Sequence, residues 1–134
     1  MVDEIALCDS ARDALLRAAR AAAPRECAAV LGGDRASVTD VVTVPNVAAR
    51  ADRFEVAPAD FLAAERELAR RGRAFVGFAH SHPGGACAPS MRDRETLWPD
   101  CVQLITDGAD VRAFRLGRDG AVHPLTLLAA EARR

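Results

Sequence analysis

The stretch RAFVGFAHSHPGGACAPSMRD, residues 73–93, combines a strand pattern, a turn-rich loop and a helix start. RAFVGFAH is apolar on both faces, which predicts a strand in the centre of a sheet. The glycines and prolines of PGGACAP, residues 83–89, permit a tight bend and leave room for a substrate backbone to approach. SMRDRETLW then predicts a short helix that ends at Pro99. The stretch therefore predicts two histidines at the end of a central strand.

Two further helices and five further strand segments are predicted around this stretch. Residues 9–24 predict a helix with Ser10 and Asp13 as a capping pair, and residues 58–72 predict a second helix with Gly72 as its C-terminal cap. Strands are predicted in the segments CAAVLGG, ASVTDVVTVPN, CVQLITD, DVRAFRLG and AVHPLTLL. The last three are separated by Asp-Gly turns and are predicted to form an antiparallel meander. EIALC is an apolar lead-in, and RFEVAP is a short extended piece. The mixture predicts one α/β (α+β) domain over residues 1–134.

Composition excludes several classes of function. The chain has 134 residues, 18 basic and 19 acidic, with a formal net charge of -1, which offers no electrostatic basis for binding nucleic acid or an acidic membrane. Every basic residue is Arg, so Schiff-base chemistry on a lysine is excluded. The four cysteines form no CxxC pair, and no apolar run is long enough to span a bilayer. We expect a cytoplasmic protein with reduced thiols.

His80 and His82 form an HxH pair at the end of the predicted strand. Residues i and i+2 of a strand point to the same face, about 6.5–7 Å apart along the chain. Two imidazoles at that separation can converge on one zinc ion, with Zn–N bonds of about 2.0–2.1 Å. The alternative is a pair of surface histidines at a strand end, and the HxH spacing alone leaves both interpretations open.

Ser90 and Asp93 follow the loop with Ser-x-x-Asp spacing. That spacing predicts a capping box at the start of the short helix, which is a structural role. The same geometry would place Asp93 one turn into the helix, facing the loop, where its carboxylate could be a third ligand. Two nitrogens, one oxygen and an open fourth position describe a catalytic zinc site.

Glu26 lies in PRECAAVLGG, where it enters an otherwise apolar strand. A carboxylate beside an activated water can take its proton and later pass it to a leaving amine. Charged residues at such positions are usually paired or functional. From its own neighbours alone, however, Glu26 is more simply a solvated residue of the Pro24 turn.

Together, Glu26, His80, His82, Ser90 and Asp93 resemble the motif of the JAMM (MPN+) metalloproteases. PRECAAVLGG is similar to that family's Pro-x-Glu-x-Cys-Gly-Leu-Leu-x-Gly segment. VPN followed by DRFEVAPADF, and then the stretch from His-Ser-His-Pro to Trp-Pro, resemble the stand-alone bacterial members. The resemblance covers residues 5–117.

The resemblance implies one MPN/JAMM-type domain with a curved mixed sheet flanked by helices. It implies one zinc ion per chain, held by His80, His82 and Asp93. Glu26 would be the general acid and base of amide hydrolysis, and Ser90 would help to bind the oxyanion of the tetrahedral intermediate. In short bacterial members the substrate is a small ubiquitin-like sulfur-carrier protein with a β-grasp fold, cut after its C-terminal Gly-Gly. Release of cysteine from a carrier–cysteine adduct is one such reaction.

The chain departs from the family pattern in two ways. Ala28 and Ala29 stand where Cys-Gly is common, with a cysteine one place early at Cys27. The long insertions of eukaryotic relatives are absent, so polyubiquitin is not the expected substrate. Two alternatives remain: a zinc-containing MPN scaffold without turnover, and a closed structural site with Cys87 as fourth ligand. The oligomeric state stays open, with a homodimer as one option.

Overall fold

The computed structural model describes residues 3–130. The elements are β1 (Glu4–Cys8), α1 (Asp9–Ala22), β2 (Ala28–Gly33), β3 (Ser37–Val44), α2 (Pro58–Arg70), β4 (Ala74–Ser81), α3 (Met91–Thr96), β5 (Val102–Thr106), β6 (Val111–Leu116) and β7 (Val122–Ala130). The predicted helices and strands are present, and the lead-in EIALC is a strand as well. No helix among residues 3–130 is long and apolar enough to cross a membrane.

The seven strands form one mixed sheet in the order β1-β3-β2-β4-β5-β6-β7, which closes because β7 also pairs with β1. The pairs β1–β3, β1–β7 and β4–β5 are parallel, and the others are antiparallel. The predicted meander of β5, β6 and β7 is confirmed. β4 lies between β2 and β5, as its apolar sequence predicted.

Two apolar clusters cover the two faces of this sheet. In the larger one, the buried face of α1 with Leu15 packs against strand residues such as Leu31 and Leu104. In the smaller one, Leu68 of α2 packs against Phe78 of β4. Since side chains alternate along a strand, His80 projects to the same face as Phe78. The predicted α/β (α+β) class, a mixed sheet flanked by helices, is confirmed.

The predicted capping pair of α1 is wrong. The helix begins at Asp9, directly after β1, so the N-cap residue is Cys8, and no side chain caps it. β1 pairs with β7 as far as Cys8, which leaves no loop residue between strand and helix to serve as a cap. The C-terminal cap predicted for α2 is confirmed, since Gly72 follows the helix with a φ of 74°, in the left-handed region that glycine favours.

Candidate active site

The two histidines lie at the end of β4 with their ring nitrogens close together. His80 is fully buried, and its Nε2 lies 3.1 Å from Nε2 of His82. His82 is the first residue after β4, and its backbone N–H donates to the carbonyl of Thr106 over 2.8 Å. The strand pairing with β5 thus extends past β4 and holds both imidazoles on one face.

Asp93 completes a triangle with the two histidines. Its Oδ2 lies 3.1 Å from Nε2 of His80 and 3.1 Å from Nε2 of His82. The predicted capping box places it there: the Ser90 N–H donates to Oδ2 of Asp93 over 2.9 Å, and the Asp93 N–H donates to Oγ of Ser90 over 3.0 Å. The Asp93 carboxylate therefore both takes part in the capping box and forms the third corner of the triangle.

The triangle has the donor chemistry of a metal site. Nδ1 of His82 lies 2.9 Å from the carbonyl of Ala86, which can only accept, so the proton sits on Nδ1. In the neutral ring, Nε2 then turns a lone pair toward the Asp93 carboxylate, and a proton or a metal ion must separate the two. Ligand atoms around a tetrahedral zinc ion lie about 3.3–3.4 Å apart, close to the 3.1 Å separations here. The residues therefore fit a metal ion.

The pKa values of the three groups follow from burial and from their mutual contacts. Burial raises the pKa of the Asp93 carboxyl, but its close contacts with both imidazoles and the hydrogen bond from the Ser90 N–H outweigh it and hold that pKa well below its usual range. Burial lowers the pKa of His80. The Asp93 contact raises the pKa of His82. An ionised carboxylate beside a neutral, buried imidazole is the protonation state that metal ligands need.

Phe54 fixes the plane of the buried imidazole. Its ring stacks on His80 with centroids 4.2 Å apart and an interplanar angle of 15°. Nδ1 of His80 is buried without a hydrogen-bond partner among the described residues. Packing against Phe54, and not a second hydrogen bond, therefore orients this ring.

Glu26 lies beside the triangle and forms a second group of possible metal ligands with the two histidines. One carboxylate oxygen of Glu26 and one ring nitrogen from each histidine all lie within 4.8 Å of one another. The residue is 7% exposed, and its Oε1 has no hydrogen-bond partner among the described residues. Burial raises the pKa of Glu26 to about 7, with His82 lowering it and Asp93 raising it. A carboxylate with a pKa near neutrality can both accept and return a proton.

Ser90 and Cys87 take different positions relative to the triangle. The exposed Ser90 accepts from Asp93 through Oγ, so its hydroxyl proton is free to donate to a substrate oxygen. Cys87 instead directs its thiol to the carbonyl of Asp110, at 3.7 Å. Among residues 3–130, the group of side chains placed to hold a metal ion consists of Glu26, His80 and His82 and does not include Cys87. This geometry gives no support to Cys87 as a fourth ligand.

Cavities border the candidate site on more than one side. One of about 520 Å³ is bounded by Ser90, Asp93 and the segment 48–55, and one of about 230 Å³ is bounded by Glu26 and His82. Asp52 borders both of these cavities. An apolar groove of about 510 Å³ continues from the first one between α2 and Trp98.

Three residues that sequence reasoning did not assign to the site also shape it. Phe54 covers His80. Oγ of Ser81, between the two histidines, accepts the N–H of Cys27 over 2.7 Å and so ties β4 to the residue after Glu26. The Asn46 side chain donates to the carbonyl of Glu26 over 2.8 Å. Their only signal in the sequence was their place in the stretches VPN, DRFEVAP and HSHP.

The chain has curated relatives over most of its length. Residues 9–117 match the family Prok-JAB, prokaryotic homologs of the JAB domain. A desampylase of Haloferax volcanii is 38% identical over 109 residues, which cover 75% of this chain and 78% of that protein. A probable TtuB-protein conjugate cleaving protease of Thermus thermophilus is 36% identical over 97 residues, which cover 70% of this chain and 64% of that protein.

Solved structures share the fold. Protein DSY2949 of Desulfitobacterium hafniense has a TM-score of 0.85 at 26% identity, with 96% of this chain and 94% of that chain covered. A protein of Salinibacter ruber has a TM-score of 0.69 at 25% identity, covering 94% and 91%. A JAMM protein, described as a metalloprotease-like zinc site in the proteasome and signalosome, has a TM-score of 0.59 at 18% identity, covering 96% and 99%. At that last identity the likeness concerns the fold alone.

Proposed function

The chain belongs to the prokaryotic JAB family, and on that basis we propose that it cleaves the amide bond after the C-terminal Gly-Gly of a small ubiquitin-like sulfur-carrier protein. It is a hydrolase of the JAMM type. The observation that carries the proposal is the triangle of His80, His82 and Asp93 with the buried carboxylate of Glu26 beside it, whose Oε1 has no hydrogen-bond partner among the described residues.

The proposed metal is one zinc ion per chain, held by His80, His82 and Asp93. Two imidazole nitrogens and one carboxylate oxygen are a donor set that zinc accepts, and it leaves a fourth position open. The carbonyl of Ala86 holds the proton of His82 on Nδ1 and so orients Nε2 toward the metal position. Asp93 is the better candidate ligand of the two carboxylates because it lies 3.1 Å from both imidazoles and is locked by its capping box.

Each proposed catalytic role follows from where the side chain lies. A zinc ion, when bound, supplies Lewis acidity that activates water and polarises the scissile carbonyl. Glu26 takes a proton from the attacking water, since its carboxylate is buried, its Oε1 has no hydrogen-bond partner in the described part of the chain, and its pKa is raised to about 7. The Ser90 hydroxyl donates to the developing oxyanion. Glu26 then gives the proton to the departing amine, so no net proton is left on the protein.

The cavities around the site support an extended tail as substrate. The cavity between segment 48–55 and Ser90 can hold an extended chain with little side-chain bulk, such as a Gly-Gly tail. The apolar groove beyond it gives a carrier body further contact area. The relatives' names, desampylase and TtuB-protein conjugate cleaving protease, support a protein conjugate as substrate class. A cytoplasmic location remains a prediction.

The decisive experiment is mass spectrometry of β-grasp carrier proteins after incubation with the zinc-loaded enzyme. Three substrates separate the forms of the reaction: a carrier with cysteine after its Gly-Gly, a carrier with a longer peptide extension, and a carrier joined to a lysine side chain. We expect the first to return to the bare Gly-Gly terminus. Glu26→Gln is the matched control, because it removes the proton shuttle without changing size. If no substrate is cut by the wild-type enzyme, the proposal fails.

A further inference from the structure

The side chain of Asn46, just after β3, makes four hydrogen bonds to the main chain. Its Nδ2 donates to the carbonyl of Glu26 and to that of Arg53, both over 2.8 Å. Its Oδ1 accepts the backbone N–H groups of Ala48 and Glu55, both over 3.0 Å. Two donors and two acceptor sites are the full capacity of a primary amide. The partners also fix the orientation of the amide, since carbonyls face its nitrogen and N–H groups face its oxygen.

These bonds close residues 47–55 into a loop, here called the 47–55 loop. The N–H of Val47 also donates to the carbonyl of Glu55 over 2.9 Å, so the two ends of the loop are joined directly. The loop carries Phe54, whose ring stacks on the candidate metal ligand His80. It also carries Ala51, whose carbonyl accepts the N–H of Glu26 over 3.2 Å. The 47–55 loop therefore contacts both the candidate metal ligand His80 and the candidate acid–base residue Glu26.

Glu26 needs such support because it lies outside the strand pairing. β2 begins only at Ala28, so Glu26 lies outside the strand ladder, and the nearest contact from a strand is Oγ of Ser81 in β4, which accepts the N–H of Cys27. The loop carbonyl of Ala51 holds its N–H, and the Asn46 amide holds its C=O. An error of about 1 Å in the place of a reacting group can cost about 10²-fold in rate. The direction of the Glu26 carboxylate thus depends on the Asn46 contact together with those of Ala51 and Ser81.

We propose that Asn46 is a positioning residue, which holds the acid–base carboxylate of Glu26 and the imidazole of His80 in one geometry through the 47–55 loop. The inference rests on the proposed function, because it assigns Asn46 to that same reaction. Neither aspartate nor alanine meets the requirement. Aspartate has the same shape but no donors for the carbonyls of Glu26 and Arg53, and alanine makes none of the four bonds.

Asn46→Asp and Asn46→Ala separate this role from simple bracing of a loop. Asn46→Asp keeps acceptor oxygens for the N–H groups of Ala48 and Glu55 but places a carboxylate against the carbonyl of Glu26. Asp34→Ala is the matched control. Oδ1 of Asp34 accepts the N–H groups of Ala36 and Ser37, over 2.8 and 3.0 Å, at the opposite end of the β2–β3 hairpin. It is therefore a turn-holding side chain remote from the candidate site.

Three measurements are made on each full-length variant. They are kcat and KM on a carrier with a C-terminal extension, zinc affinity by competition with a chromophoric chelator, and amide hydrogen exchange by NMR. We expect Asn46→Asp to keep exchange protection at Ala48 and Glu55 yet to lose about 10- to 100-fold in kcat, with KM little changed. Asn46→Ala should lose that protection, lose kcat to the same extent and bind zinc more weakly. Asp34→Ala should match the wild type in kcat and zinc affinity.

Two outcomes overturn the inference. One is a wild-type kcat in Asn46→Asp, which would mean that the amide only braces the loop. The other is a loss of kcat in both Asn46 variants that is fully accounted for by a smaller fraction of folded protein in thermal melts. If the wild-type enzyme cuts no carrier, the proposed function fails. Unchanged zinc affinity and unchanged exchange in Asn46→Ala would then still refute the role of Asn46, independently of turnover.

Discussion

Glu26 should make the metal-free protein less stable at alkaline pH, and Glu26→Gln should remove that effect. Burial raises the pKa of this carboxyl from an ordinary value of 4.5 to about 7. A group whose folded pKa is raised favours the folded state while it is protonated and opposes it once ionised. The cost is therefore absent below the unfolded pKa and develops as pH rises from about 4.5 to about 7. Above that range it is complete.

The size of the effect follows from the same pKa. At about 1.4 kcal/mol per pH unit, a rise from 4.5 to about 7 corresponds to about 3 kcal/mol of lost folding free energy at pH 8.5. Glutamine has nearly the same shape and no charge. We expect Glu26→Gln to raise the free energy of unfolding by about 3 kcal/mol at pH 8.5 and by little at pH 4.5, while hydrolysis falls by about 10²- to 10⁴-fold.

The assay is urea unfolding followed by circular dichroism, with a chelator present, at about pH 4.5, about pH 6.5 and about pH 8.5, which are the ordinary pKa of Glu26, a point near its raised pKa and a point above it. Glu65→Gln, at an exposed position of α2, is the control for loss of one negative charge. It should shift stability by less than about 0.5 kcal/mol. A difference between Glu26→Gln and wild type that is the same at all three pH values would refute the reasoning, since the cost would then not come from ionisation.

Three further predictions concern the metal and the substrate. Asp93→Ala should lose zinc on dialysis because only the two imidazoles remain, and full zinc occupancy by elemental analysis would contradict the ligand assignment. Cys87→Ser should keep both zinc and turnover, because the thiol points to the Asp110 carbonyl; metal loss would instead favour the structural-zinc alternative. A free peptide with the carrier's tail sequence should be cut with a lower kcat/KM than the intact extended carrier, because a bare tail makes few contacts with the enzyme. Equal kcat/KM values for the two substrates would indicate a general peptidase.

Local patterns were enough to predict the histidines and the helix that faces them. His80 and His82 share a face because side chains alternate along a strand. Ser90 and Asp93 meet because a capping box joins two residues that are three positions apart. Such relations need only the backbone geometry of one element. The capping pair predicted for α1 failed for a nonlocal reason: pairing of β1 with β7 carries the strand to Cys8 and removes the loop in which a cap would lie.

The amino-acid pattern by itself thus specified the helices, most of the strands, the shared face of His80 and His82, and the capping spacing of Ser90 and Asp93, because periodicity and capping act within a few residues. Only the tertiary structure decided how Glu26 comes within 4.8 Å of ring nitrogens more than fifty positions later, how Phe54 covers His80, and how Asn46 joins them. It also decided that β7 returns to β1 and closes the sheet. These contacts depend on which distant segments can be buried together with their polar groups paired, and no single stretch of sequence contains that information.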